Sequence, residues 1–316
     1  MGHSSPLFSV IIPTYQRSRP LAVCLRALAH QKYPRDGYEV LVVDDGSEIS
    51  PAPSVDAFRD RMNVRLLVQS HSGPANARNC GARYAMGTFL VFTDDDCAPS
   101  ETWLQALAAG VVSFPDCALG GQTINGIPDN PYSTTSQLLV DYLYARCNLN
   151  PRQATFVASN NLALPAERFW TLGGFDADWN RAAGEDREFC DRWISHGYRM
   201  VYIPEAVVEH LHRLNWRSFF WQHFNYGRGS FYFRKARAKR HQRPLRVERP
   251  SFYLNALCYP FLRAKPPQAL VSAFLILAAQ VATAAGFFCE GFWISSGTRR
   301  IPFVTDAASK SSKPTV

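Results

Sequence analysis

The chain has 316 residues, 47% of them hydrophobic and 19% charged, which suits one large or two modest globular domains. Lys and Arg outnumber Asp and Glu by 34 to 26, a formal charge of +8 that points to a polyanionic partner: nucleic acid, anionic lipid or a phosphate-bearing substrate. The eight cysteines form no C-x-x-C pair, which argues against a zinc site and a disulfide framework and for reduced thiols in a cytosolic compartment.

The N-terminus is polar, without the apolar region of a signal peptide. Phe8–Pro13 reads as an apolar strand, and Pro20–His30 as a helix with Leu21, Leu25, Leu28 and Ala29 at helical spacing. Tyr38–Val43 is a second strand, ending in Asp44-Asp45-Gly46-Ser47, and Val64–Gln69 is a third. Pro74–Met86 is Ala-rich and helical behind Ser72-Gly73. Phe89–Thr93 is a fourth strand, and it stops in Asp94-Asp95-Asp96. This alternation predicts a parallel, doubly wound sheet with right-handed crossovers, whose ligands bind beyond the carboxyl ends of the strands. Those ends carry Pro13-Thr14, Asp44-Asp45 and the aspartate triplet.

Three adjacent carboxylates repel one another, a cost that a bound cation would offset. Oxygen ligands on a loop suit Mg²⁺ or Mn²⁺ sharing their shell with substrate phosphates; the alternative is a solvated turn. Neither G-x-G-x-x-G nor G-x-x-x-x-G-K-[ST] occurs, which argues against a dinucleotide oxidoreductase and a P-loop NTPase. Metal and basic side chains would then hold the phosphates. Arg78 is one candidate, or equally a surface helix residue.

From Pro115 to about Thr155 the chain reads as an irregular functional loop plus a helix over Ser136–Arg146. Phe156–Leu164 resumes an extended pattern, and Gly173-Gly174-Phe175-Asp176 is a tight turn. Gly184-Glu185-Asp186 opens a helix over Asp186–His196. Acidic residues there either complement the helix dipole or supply a general base. Val201–His210 reads as a last strand; His210 and His212 share one face of it and could ligate an ion or be ordinary surface histidines.

Aromatics crowd Trp216–Phe233, and a basic run from Arg234 to Arg249 follows, a pairing that suits an anionic membrane or single-stranded nucleic acid. Ala269–Cys289 then has 21 residues without a formal charge. That length could span a bilayer core of ~30 Å or lie in its interface. Basic residues flank both ends, Arg263 and Lys265 on one side, Arg299 and Arg300 on the other, so they do not set an orientation. Asp306–Val316 has the composition of a disordered tail.

Four segments, in this order, resemble the family 2 glycosyltransferases: FSVIIPTY (Phe8–Tyr15), LVVDDGS (Leu41–Ser47), GPANARNCGARYAMGTFLVFTDDDC (Gly73–Cys97) and GEDREFCDRW (Gly184–Trp193). The resemblance covers about Phe8 to Gly229. It implies an α/β GT-A fold, a Rossmann-like, mostly parallel sheet flanked by helices, over residues 1–229. Residues 230–305 would be a membrane-associated helical segment and residues 306–316 the tail. It implies that Pro13, Thr14, Tyr15 and Asp45 hold the nucleoside, and that Arg78, Asp94 and Asp95 contact the nucleotide. Asp96, with Asp94 and His210 or His212, would bind Mg²⁺ or Mn²⁺. Asp186, beside Glu185, would be the catalytic base. The Q-x-x-R-W motif of the processive synthases is missing, which favours transfer of a single sugar; one base and one displacement would give inversion.

The function so implied is transfer from a nucleotide-diphosphate sugar to a lipid-linked or envelope glycan acceptor. The setting is the cytoplasmic face of a membrane, bound through its anionic surface and with no nucleic-acid partner. Two alternatives stay open. One is a metal-dependent nucleotidyltransferase. The other is a non-catalytic RNA-binding module, which leaves the acidic motifs unexplained.

Overall fold

A computed structural model of the chain describes residues 6–177 and 183–296. Its strands are β1 (Phe8–Thr14), β2 (Tyr38–Asp44), β3 (Val64–Val68), β4 (Phe89–Phe92), β5 (Cys97–Pro99), β6 (Ala118–Asn125), β7 (Leu162–Pro165) and β8 (Met200–His210). They form one sheet in the order β3-β2-β1-β4-β7-β6-β8-β5. The first four are parallel to one another, as the alternation predicts. Beyond β4 the sheet turns mixed: β7 is antiparallel to both its neighbours, β6 and β8 are parallel, and β5 is antiparallel to β8.

Helices cover both faces, which is why β1 and β2 are apolar without alternation. On one face Phe8, Val10 and Ile12 pack with Leu21, Leu25 and Leu28 of α1 (Ser18–Ala29). The short α2 (Ala52–Asp56) adds Val55 to this layer. Ile11 and Phe92 face the other way, towards Ala75 and Ala77 of α3 (Pro74–Tyr84). The first layer also takes Trp103, Leu104 and Leu107 of α4 (Trp103–Ser113), a helix that no sequence expectation covered. Then come α5 (Pro131–Cys147), α6 (Ala166–Thr171) and α7 (Glu185–Ser195). Phe169 of α6 and Phe189 and Trp193 of α7 complete the second layer.

The irregular segment expected from Pro115 to Thr155 is corrected by β6, an eight-residue strand inside the sheet, and by α5, which begins five residues before Ser136. Gly120 and Gly121 disguise the strand. A Cβ on Gly120 would lie 1.9 Å from Val157 Cγ1, and one on Gly121 would lie 2.1 Å from the Ala206 carbonyl oxygen. The glycines serve close approach, with a register irregularity between Gly121 and Gln122, rather than a turn. Gly121→Ala should therefore lower stability by about 2 kcal/mol or more through forced backbone displacement. A denaturation midpoint equal to wild type would contradict this.

The remaining helices are α8 (Trp216–Arg240), α9 (Pro250–Cys258) and α10 (Pro266–Ser296). A capping box formed by Asn215 and Ser218 starts α8. The helix continues without a break through residues 229 and 230, so α8 belongs both to the end of the expected catalytic domain and to the segment after it. Residues 266–293 of α10 are long and apolar enough to cross a membrane, with a mean hydropathy of 2.0. The expected tail at 306–316, and Arg299 and Arg300, lie outside the described residues.

Candidate active site

The aspartate triplet bridges two parts of the sheet. Phe92 ends β4 opposite Leu162 of β7, while Cys97 begins β5 opposite His210 of β8. The Leu211 N–H donates to the Asp96 carbonyl at 2.8 Å, which holds the two segments together. Between these anchors the three carboxylates diverge.

Asp96 turns to the end of β8. Its Oδ1 lies 3.3 Å from His210 Nε2 and its Oδ2 3.8 Å from His212 Nδ1. Ligand atoms of these three residues lie within 4.8 Å of one another, close enough to share one ion. Burial opposes charge on Asp96, but His210, Arg17 and His212 hold its carboxyl well below the usual range. Burial also disfavours charge on both histidines. Asp96 outweighs it at His210, whose pKa is raised, but not at His212, which falls to about 4. An ionised carboxylate with two imidazoles fits a divalent transition ion such as Mn²⁺ better than Mg²⁺, which prefers an all-oxygen shell.

Asp95 is buried and accepts the Thr14 hydroxyl at 2.7 Å. Burial pushes its carboxyl up to about 7, against the pull of Arg17. Arg17 forks over the pair, with Nη1 2.9 Å from Asp95 and Nη2 2.8 Å from Asp96. Sequence reasoning missed this residue. It sits in the turn after β1, next to Gln16 at φ 57°, and the motif through Tyr15 stops short of it.

Asp94 turns to the opposite side. Arg78, buried on α3, places Nη2 2.6 Å from Asp94 and Nη1 3.1 Å from Glu185. The guanidinium expected on the nucleotide is thus engaged by two carboxylates, and Asp94 stands with Arg78 rather than with the histidines. Glu185 and Asp186 open α7 behind Gly184, at φ 88°. Burial and the neighbouring Asp186 charge push Glu185 up to about 7. Its Oε2 has no hydrogen-bond partner among the described residues, which fits a carboxyl that carries a proton part of the time. Burial raises Asp186 as well, and its Oδ1 accepts the Arg187 N–H at 2.7 Å.

Beyond β2, Asp45 accepts from Gln69 Nε2 and from the N–H groups of Ser72 and Gly73, and His71 Nδ1 lies 2.9 Å from it. These contacts engage both of its oxygens, so Asp45 shapes the 69–73 loop. On that loop His71 stacks on Tyr15, with ring centroids 4.2 Å apart. Pro13 is half-buried at the end of β1.

A cleft of about 40 Å³ opens beside the histidines, between α5 and α8, lined by Asn125, Ser133, Gln137, Gln222 and Tyr226. Gln222 donates to Tyr226 Oη at 2.8 Å and to Ser136 Oγ at 3.1 Å. Tyr226, on the wall of the cleft, stands in the field of Asp186, Glu185 and Asp94.

A Rossmann-like sheet with acidic groups and histidines at its strand ends defines a GT-A protein. The chain belongs to Glycosyl transferase family 2, whose sequence model matches residues 9–170. It is 31% identical over 229 residues to a validoxylamine A glucosyltransferase of Streptomyces hygroscopicus subsp. jinggangensis, covering 64% of this chain and 54% of that protein. It is 37% identical over 212 residues to glycosyltransferase AglE of Haloferax volcanii, covering 66% of this chain and 68% of that protein. The chain thus spans about half the length of the first of these relatives. Among solved structures, a mannosyltransferase from Pyrobaculum calidifontis in complex with GDP-Man and Mn²⁺ superposes with a TM-score of 0.60 at 20% identity, covering 94% of this chain and 77% of that one. At that identity the match bears on the fold.

Proposed function

We propose that the chain transfers a single sugar from a nucleoside-diphosphate sugar to an acceptor hydroxyl, with inversion, using a divalent ion held by Asp96, His210 and His212. The observation that carries this reading is the approach of both histidines to Asp96, beside a cleft whose wall includes Tyr226, itself in the field of Glu185 and Asp186. When bound, the ion would neutralise charge developing on the leaving diphosphate. Arg17 adds a fixed positive charge beside it. The Tyr15–His71 pair offers a stacking surface for the base, on the loop that Asp45 holds. Asp186 takes the proton from the acceptor hydroxyl. Arg78 positions Asp94 and Glu185 about it. One base and one displacement at the anomeric carbon give inversion.

The acceptor is a lipid-linked or envelope glycan precursor met at the cytoplasmic face of an anionic membrane. Support comes from the apolar α10 and from a relative in Staphylococcus aureus, 29% identical over 170 residues and covering 30% of that protein, named as a poly(ribitol-phosphate) β-N-acetylglucosaminyltransferase. Incubation with a panel of nucleotide sugars and Mn²⁺ tests the reading. Release of nucleoside diphosphate supports it, whereas release of pyrophosphate would identify a nucleotidyltransferase.

The Glu185–Asp186 pair also sets a pH dependence. A carboxylate base must be ionised to work, and burial has moved this pair upwards. Transfer should therefore keep rising with pH above the range of an ordinary carboxylate rather than level off near pH 5. Glu185→Gln removes the neighbouring charge, and the acid limb of its kcat/KM profile should move to lower pH. An unmoved limb would separate Glu185 from the base.

A further inference from the structure

Helix α10 has the length and hydropathy of a membrane span, yet its packing ties it to the catalytic unit along most of its course. Near its start, Thr135 of α5 donates to Ser272 at 3.3 Å, and Leu275 packs in one cluster with Phe219, Leu214 and Tyr132. From there it runs beside α8 with the two backbones almost touching. A Cβ on Gly227 would lie 1.9 Å from the Thr283 carbonyl oxygen, and one on Gly286 would lie 1.9 Å from that of Phe224. Further along, Phe287 meets Phe231, and buried Glu290 takes Arg228 at 2.7 Å and the Tyr232 hydroxyl at 2.6 Å.

Helix α8 is itself fixed to the catalytic unit. Gly229 abuts the Ala183 carbonyl, and Arg240 pairs with Glu188 and Asp191 of α7. The paired stretch from Ser272 to Glu290 is roughly 27 Å long, about the thickness of a hydrocarbon core. If α10 spanned, it would draw α8 and the charged groups around α7 into lipid.

The two sides of α10 agree with this. Its central polar side chains face protein: Thr283 donates to the His223 carbonyl at 3.2 Å and Gln280 to that of Tyr253 at 3.0 Å. The opposite side is an exposed apolar stripe, Leu270, Phe274, Leu277, Val281, Phe288 and Phe292, spaced by three, four or seven residues. An exposed stripe of this size marks a contact surface. The helix is preceded by exposed Arg263 and Lys265, and exposed Lys235, Lys239, Arg243, Arg246 and Arg249 lie along the end of α8 and the segment after it. A chain of charge +8 disfavours self-association through a face bordered by such residues and favours lipid phosphates.

We infer that α10 lies in the plane of one anionic leaflet, with its Phe274–Phe288 stripe in the acyl boundary, and does not cross the membrane. This rests on the membrane reading above, and the experiment separates the two. The full chain carries an epitope after Val316. Purified protein is floated with sealed vesicles of 70% phosphatidylcholine and 30% phosphatidylglycerol, and with phosphatidylcholine alone. Inverted membrane vesicles from the expressing cell are treated with protease.

Flotation with the anionic vesicles, a fall of at least tenfold in partition for Phe274→Glu/Phe288→Glu with an unchanged melting temperature, and an epitope cleaved from the catalytic side are expected. A protected epitope would overturn the in-plane arrangement and leave the membrane reading standing. Failure of the wild type to float would remove both, as would a stable dimer that binds no vesicles. Flotation of the double variant at the wild-type level would overturn the stripe as the contact.

Discussion

Asp186→Asn is expected to lower transfer about 10²- to 10⁴-fold, the contribution typical of a positioned general base. Asparagine keeps the shape and can still accept the Arg187 N–H that holds Asp186. Nucleotide affinity should stay within about twofold, because Tyr15, His71 and Asp45 stand on other loops. Two measurements decide the assignment: turnover at saturating donor, and donor-induced thermal stabilisation of the same sample. Wild-type turnover would end the role of Asp186 as base. Loss of donor binding would instead mean that the Arg78 cluster supports the nucleotide site. The buried Arg78 gives that second outcome a physical route, since its two ion pairs tie α7 to the loop that holds Asp94.

Asp96→Ala should abolish dependence on Mn²⁺. Loss of the one carboxylate among three candidate ligands should weaken Mn²⁺ binding by about 10²-fold or more. The readout is Mn²⁺-dependent thermal stabilisation without substrate, independent of activity. His210→Ala and His212→Ala should move the same quantity in the same direction, by less. If Asp96→Ala keeps the wild-type response to Mn²⁺, the ion binds elsewhere. If only the histidine variants keep it, Asp96 holds the ion without either imidazole.

The parallel half of the sheet was legible because β1, β2 and β4 are short apolar runs buried on both faces and separated by helices with clear periods. Legibility failed where tertiary packing overrode local signals. The glycines of β6 answer to Val157 and Ala206, which are remote in sequence. Helix α4 lies on the sheet through Trp103, Leu104 and Leu107 and carries no charged residue to mark an outer face. In the site, His210 and His212 were visible as a pair on one strand face. Their meeting with Asp96 depends on the β5–β8 register, which no local pattern encodes. The same holds for Arg78, whose partner Glu185 is 107 residues away. The family motifs single out residues at the strand ends, while the structure sets their contacts: Asp45 to its loop, Arg78 to carboxylates, Asp94 to Arg78.

The bridge from Phe92 to Cys97 imposes one further constraint. Both ends are clamped in a sheet ladder, at Leu162 on one side and His210 on the other. Between them Asp94 meets Arg78, Asp95 meets Thr14 and Asp96 meets the histidines, with Arg17 shared by the last two, so the length of the bridge matters as much as its chemistry. A single inserted residue would hand each carboxylate its neighbour's place, leaving the composition acidic while scrambling which group meets Arg78, Thr14 or His210. A ruler of four residues, Thr93 to Asp96, thereby sets the spacing between the Arg78–Glu185 cluster and the His210–His212 pair.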